Sequence, residues 1–515
     1  MESIKHKILK GTMYNILGTI LMLVIGIGAS VVFVRYLGEE NYGVAIYITD
    51  ISLMAVILCS LGLGTFQAMQ LPKLKAENRM SEYRYLIIHN IKLRLSFLCT
   101  FLIVIWLGTW SGVFDFLKID DQFYYFLCLF AFLQLVLAFF RGPLQIEYQQ
   151  KFLNSMDVAF LIGRLLLFLP VIYFNLGLIG FLCTEVIVEV GQMVLLSLRF
   201  KKLVWNKLKG IPTIKFSGDI LKTSIPLFIV DFSSKFFGKE TDIIFIGMLL
   251  GASAFTDITT YSLCYVLVVR SYSFLGLGTS SATTLLMNSA SEIVSTGNSH
   301  LIKSLIEKQF RLLALMIIPI TTGGIILGEV VLTLLYGKIF EGKGIVSGII
   351  FLGIGITSIS YIARPILFVL EKEKLLVKQR CIVAILKIIL FVTVVPFSGL
   401  TGVASISIFT VVLISLLEMR LLSTLIRLDI PWVFIFKSLI GSIVMAFFVL
   451  LIKHYIGHVT VIKLCTLVLS GAISYLLSLL FLKPFNQNDC DALRDIKVFG
   501  FIDARSFISR FSSKH

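Results

Sequence analysis

Residues 225–251 read IPLFIVDFSSKFFGKETDIIFIGMLLG. The flanks are apolar enough for a membrane-spanning helix, yet the middle holds Asp231, Lys235, Lys239, Glu240 and Asp242. A charge at the centre of a bilayer costs roughly 2.5–3.5 kcal/mol on insertion scales. So many charged groups in one span cannot face lipid. Asp231, Lys235 and Lys239 follow i, i+4, i+8, and Asp242 follows at i+11, which on a continuous α-helix is a single stripe. Helical spacing lets Asp231 pair with Lys235 and Lys239 pair with Asp242, while Pro226 provides a kink near the inner end. The stripe therefore faces a wet interior or another polar helix.

The rest of the chain supplies the bundle. Its 515 residues are 57% hydrophobic and only 15% charged, whereas a soluble chain of this size is about a quarter charged. Apolar runs long enough to cross a bilayer fall at 12–34, 42–66, 86–110, 123–141, 156–174, 177–198, 220–250, 257–281, 306–336, 345–370, 380–396, 400–422, 432–452 and 459–482. The expected fold is all-α, a polytopic membrane protein of about fourteen transmembrane helices. Its net charge of +16 reflects basic cytoplasmic loops and no nucleic-acid partner. The basic segments are 1–10, 71–94, 199–222, 371–380 and the tail from Lys483; the intervening turns carry few basic residues. Both termini are therefore expected in the cytoplasm. The tail, 483–515, has apolar residues at helical spacing and reads equally as a surface helix or a loose polar segment.

Several features mark an internal repeat. Asn175–Gly180 reads NLGLIG and Phe397–Gly402 reads FSGLTG, placing GLxG in the outer turn between two spans, 222 positions apart. Leu-Gly turns at Gly38 and Gly251 stand 213 positions apart. Equivalent spans with equal orientation give two parallel-related six-helix lobes around a central cavity, plus two extra helices. The expected divisions are an N-terminal lobe 1–210, a C-terminal lobe 211–425, extra helices 426–482 and the cytoplasmic tail 483–515.

Other motifs carry no chemistry. GKIFEGKG (337–344) lacks the Ser or Thr and the preceding strand of a phosphate-binding loop. The pair His454 and His458 has no carboxylate close by, and the eight cysteines form no CxxC. Cofactors and a resident metal are not expected, and no constellation reads as an enzyme. Gly247–Gly251 and Gly324–Gly328 read as close helix packing.

At membrane depth the basic residues are Arg164, Lys235, Lys239, Arg270, Arg364 and Lys387, while Arg35 and Glu418 lie near span ends and reach for the interface. Structural ion pairs account for single members. The set as a whole points to a cationic, substrate-binding cavity for an anion, because Arg offers a fork matched to phosphate oxygens. Glu185 and Glu189, one helical turn apart, and Asp231 are the deep carboxylates able to take a coupling cation, H⁺ or Na⁺.

FVRYLGEENYGVAIYITDISLMAVILCSLGLGTFQAMQ (33–70), with its Arg-x-Leu-Gly turn, acidic pair and Tyr-Gly, resembles the first hairpin of Wzx-type polysaccharide flippases. The Pro226-to-Asp242 pattern and GLTGVASIS are similar too. Such proteins belong to the multidrug/oligosaccharidyl-lipid/polysaccharide exporter superfamily. The resemblance implies a flippase of the bacterial cytoplasmic (inner) membrane. It would move a polyprenyl-pyrophosphate-linked oligosaccharide, an O-antigen, capsule or related repeat unit, to the outer leaflet by alternating access. Its implied partners are that substrate, membrane lipid and a polysaccharide polymerase. Lys387 departs from the pattern, since many relatives have a polar residue there, often Asn. The alternatives are a flippase for a peptidoglycan or teichoic acid precursor, and a multidrug or organic-cation exporter, whose cavity would be acidic and aromatic.

Overall fold

The computed structural model describes residues 2–112, 120–147, 149–216, 218–273, 299–360, 362–370, 372–426, 431–457 and 459–483, with the short pieces 497–498 and 502–503. Fifteen helices carry the described fold: α1 Glu2–Ser60, α2 Leu63–Ala76, α3 Met80–Trp110, α4 Asp121–Ile146, α5 Gln150–Tyr173, α6 Gly177–Phe200, α7 Ile220–Phe236, α8 Lys239–Leu249, α9 Ala254–Ser273, α10 Ser299–Tyr336, α11 Gly344–Ser360, α12 Ala363–Val369, α13 Glu373–Leu425, α14 Trp432–Ile456 and α15 Val461–Leu482. The two strands among the described residues are two residues long each, Lys497–Val498 and Ile502–Asp503. Most of the expected tail helix, His458 and the end of the eighth expected span lie outside the described residues.

The protein is an all-α, multi-pass membrane protein. Among the described residues nine helices are long and apolar enough to cross a membrane. Two of these, α1 and α13, each hold two expected spans joined at a non-helical glycine, Gly38 (φ 76°) and Gly399 (φ 60°). Burial is inverted relative to a water-soluble protein. Phe397, Phe481 and Trp110 are 91%, 87% and 82% exposed, while Asp50, Arg380 and Lys387 are 2%, 2% and 0% exposed. Large exposed apolar surface is costly in water and neutral in lipid, whereas the charges must be enclosed.

The chain forms two compact units, Met1–Ser262 with Phe391–Gly399, and Leu263–Leu390 with Leu400–His515. In the first, Ala29, Phe33 and Ile48 of α1 pack with Phe130 of α4, Phe168 of α5 and Phe181 of α6. A second cluster gathers Leu63 and Phe66 of α2, Leu86 of α3, Phe139 of α4 and Ile220 of α7. In the second unit, Ala314 and Ile318 of α10 pack with Met445 and Val449 of α14 and Leu467 and Tyr475 of α15.

The glycines singled out by the repeat share one backbone property. Gly38, Gly177, Gly251 and Gly399 have φ of 76°, 58°, 69° and 60°, a region that side chains with Cβ disfavour. Both members of each pair therefore hold a positive φ where the chain turns between spans. Gly43 serves a different need: a Cβ there would collide with the backbone of Phe255 on α9.

Candidate functional site

The opening stretch does not form one helix. α7 ends at Phe236 and α8 begins at Lys239, with extended backbone at Gly238 (φ −87°, ψ 177°). The chain passes through Pro226 without breaking α7. The expected single stripe is thus cut in two, and neither expected pair forms. Asp231 instead accepts a hydrogen bond from Thr65 of α2 at 2.6 Å. Lys235 bridges the break to Glu240 at 2.6 Å. Lys239, at the first turn of α8, reaches back to Asp50 of α1 at 2.7 and 3.1 Å. Asp242 accepts from the Tyr261 hydroxyl of α9 at 2.5 Å. Each expected pair lies within one helix, Asp231 and Lys235 on α7 and Lys239 and Asp242 on α8, so the break at Gly238 does not part them; the two lysines turn instead to Glu240 across the break and to Asp50 of α1.

Breaking a helix at membrane depth leaves backbone groups unsatisfied unless something else bonds them. Here Phe237 and Gly238 N–H groups donate to Ser233 and Lys235 carbonyls at 3.1 and 2.9 Å. The Thr241 hydroxyl adds a long bond to the Lys235 carbonyl, 3.4 Å. A Cβ on Gly238 would stand 2.5 Å from Glu240 Oε2, so glycine leaves the room that lets this carboxylate fold back to Lys235.

A second group joins α5 and α6. Arg164 forms an ion pair with Glu185, and its guanidinium lies 4.9 Å from the Phe33 ring centre and 5.7 Å from that of Phe181. Cation–π attraction of this kind strengthens as water is excluded. One turn along, Glu189 accepts from Gln134 of α4 at 3.2 Å, and its other oxygen is buried with no partner among the described residues. Glu185 and Glu189 therefore have separate partners.

In the second unit Arg380 and Glu418, both on α13, pair at 2.7 Å, and Arg364 of α12 stands 3.6 Å from the same carboxylate. Glu418 is 4% exposed, which corrects the reading that it reaches for the membrane interface; the buried Arg380 guanidinium and the half-exposed Arg364 hold it inward. Arg270 is partly buried on α9, and Lys387 is fully buried on α13.

The structure thus sorts the expected cations into separate groups: Lys235 and Lys239 with Glu240 and Asp50, Arg164 with Glu185, and Arg364 with Arg380 and Glu418. Asp50 and Arg380 were not among the expected site residues. Asp50 had a signal, a lone carboxylate inside the apolar run VAIYITDISLMAVIL (44–58). Arg380 had only a weak one, because it opens an apolar run and reads as a loop cation. The glycine-rich turn at 337–344 joins α10 to α11, and its Gly342 N–H donates to Glu329 at 2.7 Å.

Four of the five ion pairs in these groups share an asymmetry. In these four the cation is more exposed than its carboxylate: Lys235 47% against 10% for Glu240, Lys239 22% against 4% for Asp50, Arg164 30% against 16% for Glu185, and Arg364 36% against 5% for Glu418; Arg380, at 2% against 5% for Glu418, reverses the order.

Comparison with known proteins bears on the family and the fold. The family described as polysaccharide biosynthesis protein matches residues 8–283, more than half of the 515 residues, and the chain belongs to that family. Comparison with curated protein sequences finds no match. Among solved structures, the lipid II flippase MurJ in an inward closed conformation is similar with a TM-score of 0.68 and 14% identity, covering 91% of this chain and 98% of that one. An inward-facing multidrug resistance MATE transporter of the MOP superfamily gives 0.57 and 12% identity, covering 81% and 95%. A MOP superfamily transporter from Pyrococcus furiosus, described as having a binding pocket of reverse polarity, gives 0.55 and 12%, covering 82% and 95%. At these identities the likeness is one of fold.

Proposed function

We propose, taking membership of the polysaccharide biosynthesis protein family as the premise, that this chain is a flippase for a polyprenyl-pyrophosphate-linked oligosaccharide. It moves a repeat unit of O-antigen, capsule or a related polymer from the cytoplasmic to the outer leaflet of the bacterial inner membrane. It works by alternating access, with both termini in the cytoplasm, and hands its product to a polymerase outside. It performs no bond chemistry. The proposed lobes are residues 1–210 and 211–425, followed by the extra helices 426–482 and the cytoplasmic tail 483–515.

The observation that carries the reading is the asymmetry of the ion pairs. An anion approaching Lys235, Lys239, Arg164 or Arg364 meets the cation first, while the carboxylate behind keeps that cation neutralised between cargoes. Such a pair holds a charge at membrane depth without an uncompensated cost. It also exchanges one anionic partner for another, which suits a pyrophosphate that must be both bound and released. An organic-cation exporter needs the opposite order, with acids in front. Arg270 and Lys387 complete the proposed substrate-binding set.

Coupling to H⁺ or Na⁺ is assigned to Glu185, Glu189 and Asp231. Glu189 is the best placed of these, since one of its oxygens has no partner among the described residues.

The test is surface-polysaccharide export in cells carrying Arg164→Ala, Lys235→Ala, Arg270→Ala or Arg364→Ala. Loss of export with protein still in the membrane supports the reading; normal export by all four variants sinks it. Restoration of cell-wall growth, in place of surface polysaccharide, would transfer the assignment to a peptidoglycan or teichoic acid precursor.

A further inference from the structure

Arg94 of α3 is 2% exposed, and its Nε is buried with no hydrogen-bond partner among the described residues. Other arginines of the same unit have a partner for part of the guanidinium, although Arg84 Nε and Arg199 Nε are likewise buried without one among the described residues. Arg84 donates to the Ile211 carbonyl and lies over the Trp205 ring, Arg141 pairs with Asp157, Arg164 with Glu185, and Arg199 donates to Gln149 at 2.8 Å. An arginine cannot shed its proton to escape burial. A buried guanidinium with no counter-charge is among the costliest arrangements a folded chain can hold.

The surroundings of Arg94 repeat the deficit. Asn90, one turn before Arg94 on α3, donates through Nδ2 to the Leu63 carbonyl at 3.0 Å and to Gln67 Oε1 at 3.3 Å. Gln67 Nε2 and Asn90 Oδ1 are buried without partners among the described residues. Gln67 and Asn90 line a small cavity with Phe66, Leu86 and Ile220. On α2, Gly64 lies one turn before Gln67, and a Cβ there would stand 3.0 Å from Arg94 Nη2. Two unpaired donors, Arg94 Nε and Gln67 Nε2, thus belong to adjoining turns of the α2–α3 pair, and glycine keeps the guanidinium edge uncovered.

From these residues we infer that Arg94 and Gln67 form an anion site between α2 and α3 whose ligand is a phosphate group, with Asn90, whose amide hydrogens are already given to Leu63 and Gln67, holding Gln67 in place. The guanidinium fork matches two phosphate oxygens, and the Gln67 amide supplies a further donor. The location favours phosphate. The two strongly basic segments 71–94 and 199–222 meet at this end of the unit, where Arg84 donates to Ile211 and Ile220 shares the cavity with Asn90. Clusters of this kind attract phosphate-bearing lipid headgroups. The phosphate comes from such a headgroup or from free inorganic phosphate. The site is independent of the proposed cargo, because Arg94 belongs to none of the ion-paired groups described above.

The experiment is thermal unfolding of the purified full-length chain in detergent, wild type against Arg94→Gln and Arg94→Lys. Inorganic phosphate is titrated against chloride at matched ionic strength, and separately micelles are doped with phosphatidic acid. Wild-type Tm should rise saturably with one or both phosphate probes. The responding probe names the source: inorganic phosphate for a free ion, phosphatidic acid alone for a headgroup. Arg94→Gln should lose at least about tenfold in apparent affinity, and Arg94→Lys should keep part of it. Without phosphate, Arg94→Gln should be at least as stable as wild type, since it removes an uncompensated buried charge. The inference is overturned if neither probe raises wild-type Tm, if chloride does so equally, or if Arg94→Gln responds as wild type does. It is also overturned if Arg94→Gln is markedly less stable than wild type in phosphate-free buffer, which would reveal a structural partner within the chain.

Discussion

The Lys239 ammonium at the start of α8 donates to both oxygens of Asp50 on α1, at 2.7 and 3.1 Å, across 189 positions of sequence. The bond ties the broken seventh span to the second span.

That tie gives the first prediction. Lys239→Met leaves the 4%-exposed Asp50 side chain without its cation and should cost about 3–5 kcal/mol of stability, the penalty of breaking a buried pair. The double variant Asp50→Asn/Lys239→Met should recover most of that loss while failing to restore export. A thermal-unfolding double-mutant cycle measures the coupling; additive effects of the two substitutions would mean that the pair carries no energy.

How far the sequence announced this site depends on which level is asked about. Apolar runs give the helices well, because lipid demands about 20 apolar residues per crossing and backbone bonds satisfied within each segment. The kinks at Gly38 and Gly399 fall in the turns expected between spans. The pairings of Asp231 and Asp242 were not legible. Helical spacing names only neighbours along one helix, whereas Asp231 and Asp242 find hydroxyl partners on other helices, Thr65 and Tyr261, and the lysines turn to Glu240 and Asp50. Asp50 was visible as a charge in an apolar run, but nothing local says that its partner lies 189 positions away. Glu418 was misread for the same reason, since nearness to a span end does not reveal a guanidinium already waiting inside.

The second unit offers a simpler stability test. Glu418→Gln removes the carboxylate shared by Arg380 and Arg364 and leaves Arg380, 2% exposed, without it. The expected loss is about 3–5 kcal/mol, seen as a lower Tm of the purified protein. Arg364→Gln, whose side chain is 36% exposed, should cost clearly less. Equal losses would contradict the assigned burial order.

Glu189 carries the coupling prediction. Glu189→Gln keeps the Gln134 contact geometry but cannot bind a coupling cation as a carboxylate does. Proteoliposome transport by this variant should no longer respond to an imposed pH or Na⁺ gradient, while transport down the substrate's own gradient continues. A Glu189→Gln variant with the full wild-type gradient response would remove α6 from the coupling account.

Orientation is tested with a reporter active only in the cytoplasm. Fusions after Lys209 or Lys374 should be active, and fusions after Glu40 or Gly399 silent, because Lys and Arg gather on the first set of loops. The reverse pattern at two or more sites would invert the assigned direction of transport.

The central claim is that the forward-facing cations receive a lipid pyrophosphate, and reconstitution tests it most directly. Purified protein is placed in liposomes with a fluorescent polyprenyl-pyrophosphate-linked oligosaccharide in one leaflet, and its arrival in the other is followed with a membrane-impermeant quencher. The account predicts protein-dependent flipping that falls at least about tenfold in Lys235→Ala and Arg164→Ala. It also predicts competition by free polyprenyl pyrophosphate but not by an organic cation. Flipping unaffected by both substitutions, or transport of organic cations in place of the lipid-linked sugar, would contradict it.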